Sequence, residues 1–100
     1  MIAKRRLQIY LDVLRAINDG TEKPTRIMYQ ARLSWGILND SLSSLVRQGH
    51  VEAVEVALHK RWRSGKIYRI TQKGESTLKY FEQGEDLFRL EEANLSNIMA

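Results

Sequence analysis

The sequence contains no cysteine and a single proline, Pro24. Without cysteine there is no disulfide framework, no thiolate metal site and no cysteine nucleophile, and the composition fits an intracellular setting. No apolar run approaches the ~20 residues needed to cross a bilayer, so no membrane partner is expected. The basic start, Lys4-Arg5-Arg6, is not followed by an unbroken apolar stretch, because Gln8 and Asp12 interrupt it; no secretion signal is expected. The two histidines, His50 and His59, stand apart as loop residues, and no His/Asp/Glu cluster has metal-ligand spacing. Glu91-Glu92 fall on a helix exposed on one side, and no glycine-rich loop could cradle a phosphate. Nothing here supports catalysis, a cofactor or a small-molecule ligand.

What is present is an ordinary globular composition: 100 residues, 43% hydrophobic and 28% charged, enough for one core. The net charge of +4 is unevenly placed. The first 70 residues carry +7 and the last 30 carry −3, so a basic body precedes an acidic end. A basic body attracts polyanions through counterion release; a solvated basic surface is the plain alternative.

Periodicity divides the body. Leu7, Tyr10, Leu11, Leu14 and Ile17 recur at three- and four-residue steps, predicting a helix over 4–19 that Gly20 ends. Pro24 suits the first turn of a second helix, 24–31, with Ile27, Met28 and Ala31. Leu33-Ser34 forms a turn, with Ser34 as N-cap of a third helix over 35–48. The inward stripe of that helix is Leu38, Leu42, Leu45 and Val46; Gly36, Ile37, Asp40, Ser43, Ser44 and Arg47 face outward, and Gly49 ends it. Trp35 lies close to the inward stripe and is expected in the core. Two short helices joined by a tight turn give a helix-turn-helix pattern.

Residues 51–58 read as a strand with Val54, Val56 and Leu58 on one face. Residues 67–70 read as a second strand with Tyr68 and Ile70 inward, and Ser64-Gly65 between them as turn chemistry. Three helices and then a hairpin with a basic tip is the order of a winged helix. Thr71 caps a fourth helix over 72–98, with Leu78, Phe81, Phe88, Leu95 and Ile98 in its stripe and Leu87 and Leu90 alongside. The expected fold is α+β, mostly helical: a winged-helix domain over 1–70 and a long C-terminal helix over 71–100.

Three stretches resemble the small archaeal winged-helix DNA-binding proteins of the dimeric, chromatin-associated ten-a type: RRLQIYLDVLRAINDG (5–20), KPTRIMYQARLSWGILNDSLSSLVRQGHVE (23–52) and YRITQKGESTL (68–78). The middle stretch is the most specific; the Tyr-x-Ile-Thr-x-Lys-Gly turn is common across winged helices. The resemblance implies sequence-tolerant or regulatory binding of double-stranded DNA and an archaeal or archaeal-virus setting. It also implies a homodimer paired through an antiparallel coiled coil of the last helix. The sequence departs from that pattern in its unusually basic, aromatic wing, KRWRSGK, and in Gly84 and Glu91 of the last helix.

Candidate DNA contacts follow from charge and position. Lys60, Arg61, Arg63 and Lys66 surround the hairpin tip, where flexible cations reach phosphate. Trp62 either stacks or wedges against DNA or folds back onto its hairpin. Thr25 and Arg26 sit at the start of the second helix, where amides and the helix dipole favour an anion, or form a plain turn. Ser34, Asn39, Ser43 and Arg47 on the third helix can hydrogen-bond bases or phosphates, whereas Asp40 repels phosphate unless a neighbouring arginine offsets it. Lys4, Arg5 and Arg6 either join the binding face or fray. Phe81, Phe88, Leu95 and Ile98 are the candidate dimer interface, unless the helix bends at Gly84 onto its own body. The resulting expectation is a non-enzymatic, nucleoid-associated DNA-binding homodimer, a transcriptional regulator or architectural protein. Its rival is a winged helix that binds proteins instead.

Overall fold

The computed structural model describes residues 5–57 and 64–84. Helix α1 spans Arg6–Asn18. It ends because Gly20 adopts φ +100°, which lets Gly20 N–H donate to the Ile17 carbonyl and Thr21 N–H donate to the Ala16 carbonyl, the paired bonds of a Schellman cap. Helix α2 spans Pro24–Ala31, with proline in its first turn. Its end uses the same pair of bonds, from Arg32 to Tyr29 and from Leu33 to Met28, with Arg32 held at φ 57°. The turn between α2 and α3 therefore begins at Arg32, one residue earlier than the sequence suggests, although a side chain in that left-handed region costs about 1–2 kcal/mol relative to glycine. Helix α3 spans Trp35–Arg47, and the Ser34 hydroxyl accepts from Ile37 N–H as its cap.

The three helices enclose one core. Leu11, Leu14, Ile17, Ile27, Ala31, Leu38, Leu42 and Leu45 are buried, as their spacing predicts, joined by Val13 and Ala16. Burying each of the larger side chains contributes roughly 1.5–3 kcal/mol before the entropy of ordering is counted. Ser41 is also buried, and its hydroxyl donates to the Ile37 carbonyl at 2.7 Å, which satisfies it within its own helix. Two expectations fail. Leu7 is half exposed, because it lies in the first, outlying turn of α1. Trp35 is 53% exposed rather than in the core. It starts α3, and its direction lies about 70° from the middle of the buried stripe at about 100° per residue.

The hairpin pairs β1, Val51–Ala57, with β2, Ser64–Ile70, antiparallel. The second strand begins three residues earlier than expected, so Ser64 and Gly65 are paired strand residues opposite Ala57 and Val56, not a turn. Register fixes the facing, with Tyr68 and Ile70 inward as expected. Val51 pairs with Ile70 and Ala53 with Tyr68, so Val51, Tyr68 and Ile70 share the face turned to the core. Val54 and Val56 pair with Ile67 and Gly65 and lie on the opposite, half-buried face. Leu58 lies outside the described residues. Tyr68 N–H also donates to the Glu22 carbonyl at 2.9 Å, which fastens the α1–α2 connector to the edge of the sheet.

Helix α4, described over 72–84, is latched by the Thr-x-Lys-Gly turn. Thr71 Oγ1 accepts from Gly74 N–H at 3.1 Å and donates to the Gly49 carbonyl at 2.6 Å. Lys73 Nζ donates to the Gln48 carbonyl, and Thr71 N–H to that of His50. Gly74 itself lies against the His50 carbonyl, where a Cβ has no room. The latch therefore joins α4 to the segment between α3 and β1. Farther along, Leu78 is buried in the core, Phe81 packs partly against it, and Arg15 Nε meets Glu82 Oε1 at 3.4 Å.

Candidate nucleic-acid interface

Helix α3 spends one side on the core and presents the other to solvent. Leu38, Ser41, Leu42 and Leu45 are buried; Gly36, Ile37, Asn39, Asp40, Ser43 and Arg47 are exposed, and Ser44 is partly covered. At about 100° per residue, Gly36, Asp40, Ser43 and Arg47 form the centre of the outward face. The Ser34 hydroxyl, a candidate contact, is engaged as the helix cap. Ser44 Oγ receives hydrogen bonds from Tyr10 Oη and Gln48 Nε2, both at 3.0 Å. The Tyr10 bond ties α3 to α1, while the Gln48 bond stays within the end of α3 itself.

Beside that tie runs an open groove of about 470 Å³ lined by Arg6, Ile9, Tyr10, Ile37, Asp40, Ser41, Ser44 and Arg47. Arg6, Asp40 and Arg47 line it together. Arg6 thereby joins the face of the third helix, a placement that the sequence left open.

At the start of α2, Thr25 and Arg26 are exposed, no acidic residue occupies the first turn, and no side chain caps it. Its amides and positive dipole end are therefore open to an anion. Arg26 and Lys23 line a second open depression, of about 340 Å³, with Asp19, Glu22 and Ile67 of β2. Arg32, exposed at the turn into α3, was not singled out from the sequence. Its signal was a basic residue at the position after a helix where glycine or asparagine is usual.

Lys66 lies exposed on β2, opposite Glu55. Lys60, Arg61, Trp62 and Arg63 lie outside the described residues, as do Lys4, His59, Phe88, Leu95 and Ile98. Phe81, expected at a dimer interface, is partly buried against this chain's own core and meets Tyr80 edge-on, with ring centroids 5.4 Å apart.

His50 lies between the end of α3 and the start of β1. Burial, and then the positive charge of Lys73, push its pKa below the ordinary histidine value. Its Nδ1 is buried without a hydrogen-bond partner. This histidine belongs to the latch and not to the exposed face of α3. No group of three or more His, Asp or Glu residues that could hold a metal occurs among the described residues, and no described helix is long and apolar enough to cross a membrane.

Comparison with known proteins places this geometry. The winged helix-turn-helix family model matches residues 4–89. Among solved structures, the chain is similar to a PadR family transcription regulator from Clostridium difficile, with 17% identity, a TM-score of 0.66, and coverage of 91% of this chain and 99% of that one. It is similar to Sso10a-2, a DNA-binding protein from Sulfolobus solfataricus, with 23% identity, a TM-score of 0.65, and coverage of 97% and 98%. It also resembles ZitR, a zinc-responsive MarR family member from Lactococcus lactis, with 15% identity, a TM-score of 0.66, and coverage of 87% and 58%. No curated relative matches the sequence. At these identities the structural likenesses establish a shared fold.

Proposed function

The chain belongs to the winged helix-turn-helix family, and from that premise we propose that it binds double-stranded DNA as a homodimer, as a transcriptional regulator or architectural chromatin protein. The observation that carries this reading is α3. It follows a helix-turn-helix turn, buries one side in the core and leaves Asn39, Ser43 and Arg47 exposed on the other. Such a helix can enter a major groove. Arg6 lines a groove with it, Arg32 lies at the turn that leads into it and Arg26 at the start of α2, all exposed, and the body that carries them has a charge of +7 over residues 1–70. The Clostridium neighbour is a transcription regulator and the Sulfolobus neighbour a DNA-binding protein, which supports the same partner here.

In this reading α3 supplies hydrogen-bonding groups, the start of α2 receives a backbone phosphate, and the wing cations Lys60, Arg61, Arg63 and Lys66 follow the duplex beyond it. The last helix, through Phe88, Leu95 and Ile98, pairs two copies so that two basic heads engage DNA together. The protein is not an enzyme; it acts by occupying DNA in the nucleoid. An archaeal or archaeal-virus setting belongs to the same reading.

A gel-shift series with random duplex DNA across a range of salt tests it. Binding at low salt should weaken steeply, with a log–log slope of about −4 to −5 per head if each head neutralises roughly 4–6 phosphates. No shift at low salt with micromolar protein overturns the DNA reading and leaves a protein-interaction module in its place.

A further inference from the structure

Two features of the joint between α2 and α3 serve nothing in the core. The first is Arg32. It stands at φ 57° and ψ 50° after the last turn of α2, where glycine closes a helix without steric cost. The bonds made there use backbone alone: Arg32 N–H donates to the Tyr29 carbonyl at 3.3 Å, and Leu33 N–H to that of Met28 at 3.1 Å. The side chain is exposed, and among the described residues none pairs with its guanidinium. Attraction of that charge to the carbonyl end of α2 is screened at the surface and smaller than the cost of the left-handed backbone. An arginine that strains its turn, with its guanidinium unused by the described fold, fits a place where something external uses the charge. The second feature is the sign of the charge around it. From Lys23 to Asn39, a stretch that takes in all of α2, the turn and the start of α3, the chain carries Lys23, Arg26 and Arg32 and no aspartate or glutamate. All three cations are exposed, and the 12 acidic residues of the chain lie elsewhere.

We propose that Arg32 contacts a backbone phosphate of duplex DNA and so anchors the start of α3 at the edge of the major groove. The inference rests on the DNA-binding reading and adds to it a residue that positions the helix. When the N-terminal residues of a recognition helix reach base edges, the turn before them lies beside the sugar–phosphate strand that borders the groove. A contact there carries no sequence information and fixes register and orientation. Arginine suits it, because its planar fork gives two parallel bonds to phosphate oxygens. The absence of carboxylates from Lys23 to Asn39 leaves nothing on this stretch to repel the strand. The left-handed backbone is then a strain that the fold carries at its binding surface, so stability and binding can be separated at this one position.

The test compares the full chain with three variants on random-sequence duplex DNA, by fluorescence anisotropy across a range of salt and by circular dichroism melts. Arg32→Ala removes the charge and keeps the strained backbone, Arg32→Gly removes both, and Arg32→Lys keeps the charge. Loss of one phosphate contact flattens the log–log slope by about 0.9 per head, which at 0.1 M salt is about an eightfold loss of affinity relative to 1 M. Arg32→Ala and Arg32→Gly should both show that loss, to the same degree on A·T-rich and G·C-rich duplexes, while Arg32→Lys keeps the parent slope. Arg32→Gly should nevertheless melt above Arg32→Ala, because only glycine relieves the backbone. A parent slope in both uncharged variants overturns the phosphate contact and leaves DNA binding intact. A midpoint for Arg32→Gly at or below that of Arg32→Ala overturns the strain from which the contact is inferred. No binding by the parent at low salt overturns the DNA reading and the contact together.

Discussion

The replacement Gly74→Ala isolates the latch between α4 and the α3–β1 segment. The new Cβ would fall on the His50 carbonyl oxygen and within 2.8 Å of Ile70 Cγ1. The first of these atoms is backbone and cannot rotate away. Relief requires α4 to move off the segment, yet the same carbonyl accepts Thr71 N–H at 3.0 Å, and Thr71 Oγ1 holds Gly49 at 2.6 Å. Overpacking a fitted site costs typically 1–3 kcal/mol, and each loosened hydrogen bond adds about 1 kcal/mol. Alanine's better helix propensity returns up to about 1 kcal/mol. The net loss is then about 2–4 kcal/mol. At ~4–8 °C per kcal/mol for a domain of this size, the thermal midpoint should fall by at least about 8 °C. Circular dichroism melts at matched protein concentration measure this directly. Gly36→Ala is the internal control, since the same added methyl meets open space there. A Gly74→Ala midpoint within about 2 °C of the parent would refute the close approach and the latch argument built on it.

Three further outcomes are expected. Replacing Arg61 and Arg63 by alanine should lower affinity for all DNA sequences alike and flatten the salt slope by up to about 2 units, with the melting midpoint scarcely changed; unaltered binding would remove the wing from the interface. His50 is held in its neutral form by burial and by Lys73. The unfolded chain therefore takes up the proton first, and stability present above the ordinary pKa of ~6.5 should decline as pH falls below it. In His50→Gln, denaturant titrations between pH 7 and 5.5 should show a shallower decline than in the parent. Sedimentation equilibrium at tens of micromolar should give a dimer mass that reverts to monomer in Phe88→Asp or Leu95→Asp, and a monomeric parent would end the two-headed mechanism.

The sequence by itself determined the helices, because their limits are written in local chemistry. Gly20 and Gly49 supply the left-handed backbone that closes a helix, Pro24 opens one and Ser34 caps one, and each acts within a few residues of itself. The inward stripes of α1 and α3 were legible for the same reason, since a 3.6-residue period fixes a face without reference to any partner. Thr71 was legible as a cap, but not as a latch, since the carbonyls of Gly49 and His50 reach it, and that of Gln48 reaches Lys73, only after the hairpin has returned the chain.

Register was likewise beyond the sequence. With a period of two, the facing of Val54 and Val56 depends on which residue of β2 lies opposite, and one position of offset exchanges the faces. Pairing of Val51 with Ile70 settled it and turned Ser64-Gly65 from turn into strand. Trp35 and Arg6 were decided in the same way. A residue at a helix end is core or surface according to what the neighbouring elements cover, so packing decided that Trp35 is exposed and that Arg6 lines a groove with Asp40 and Arg47.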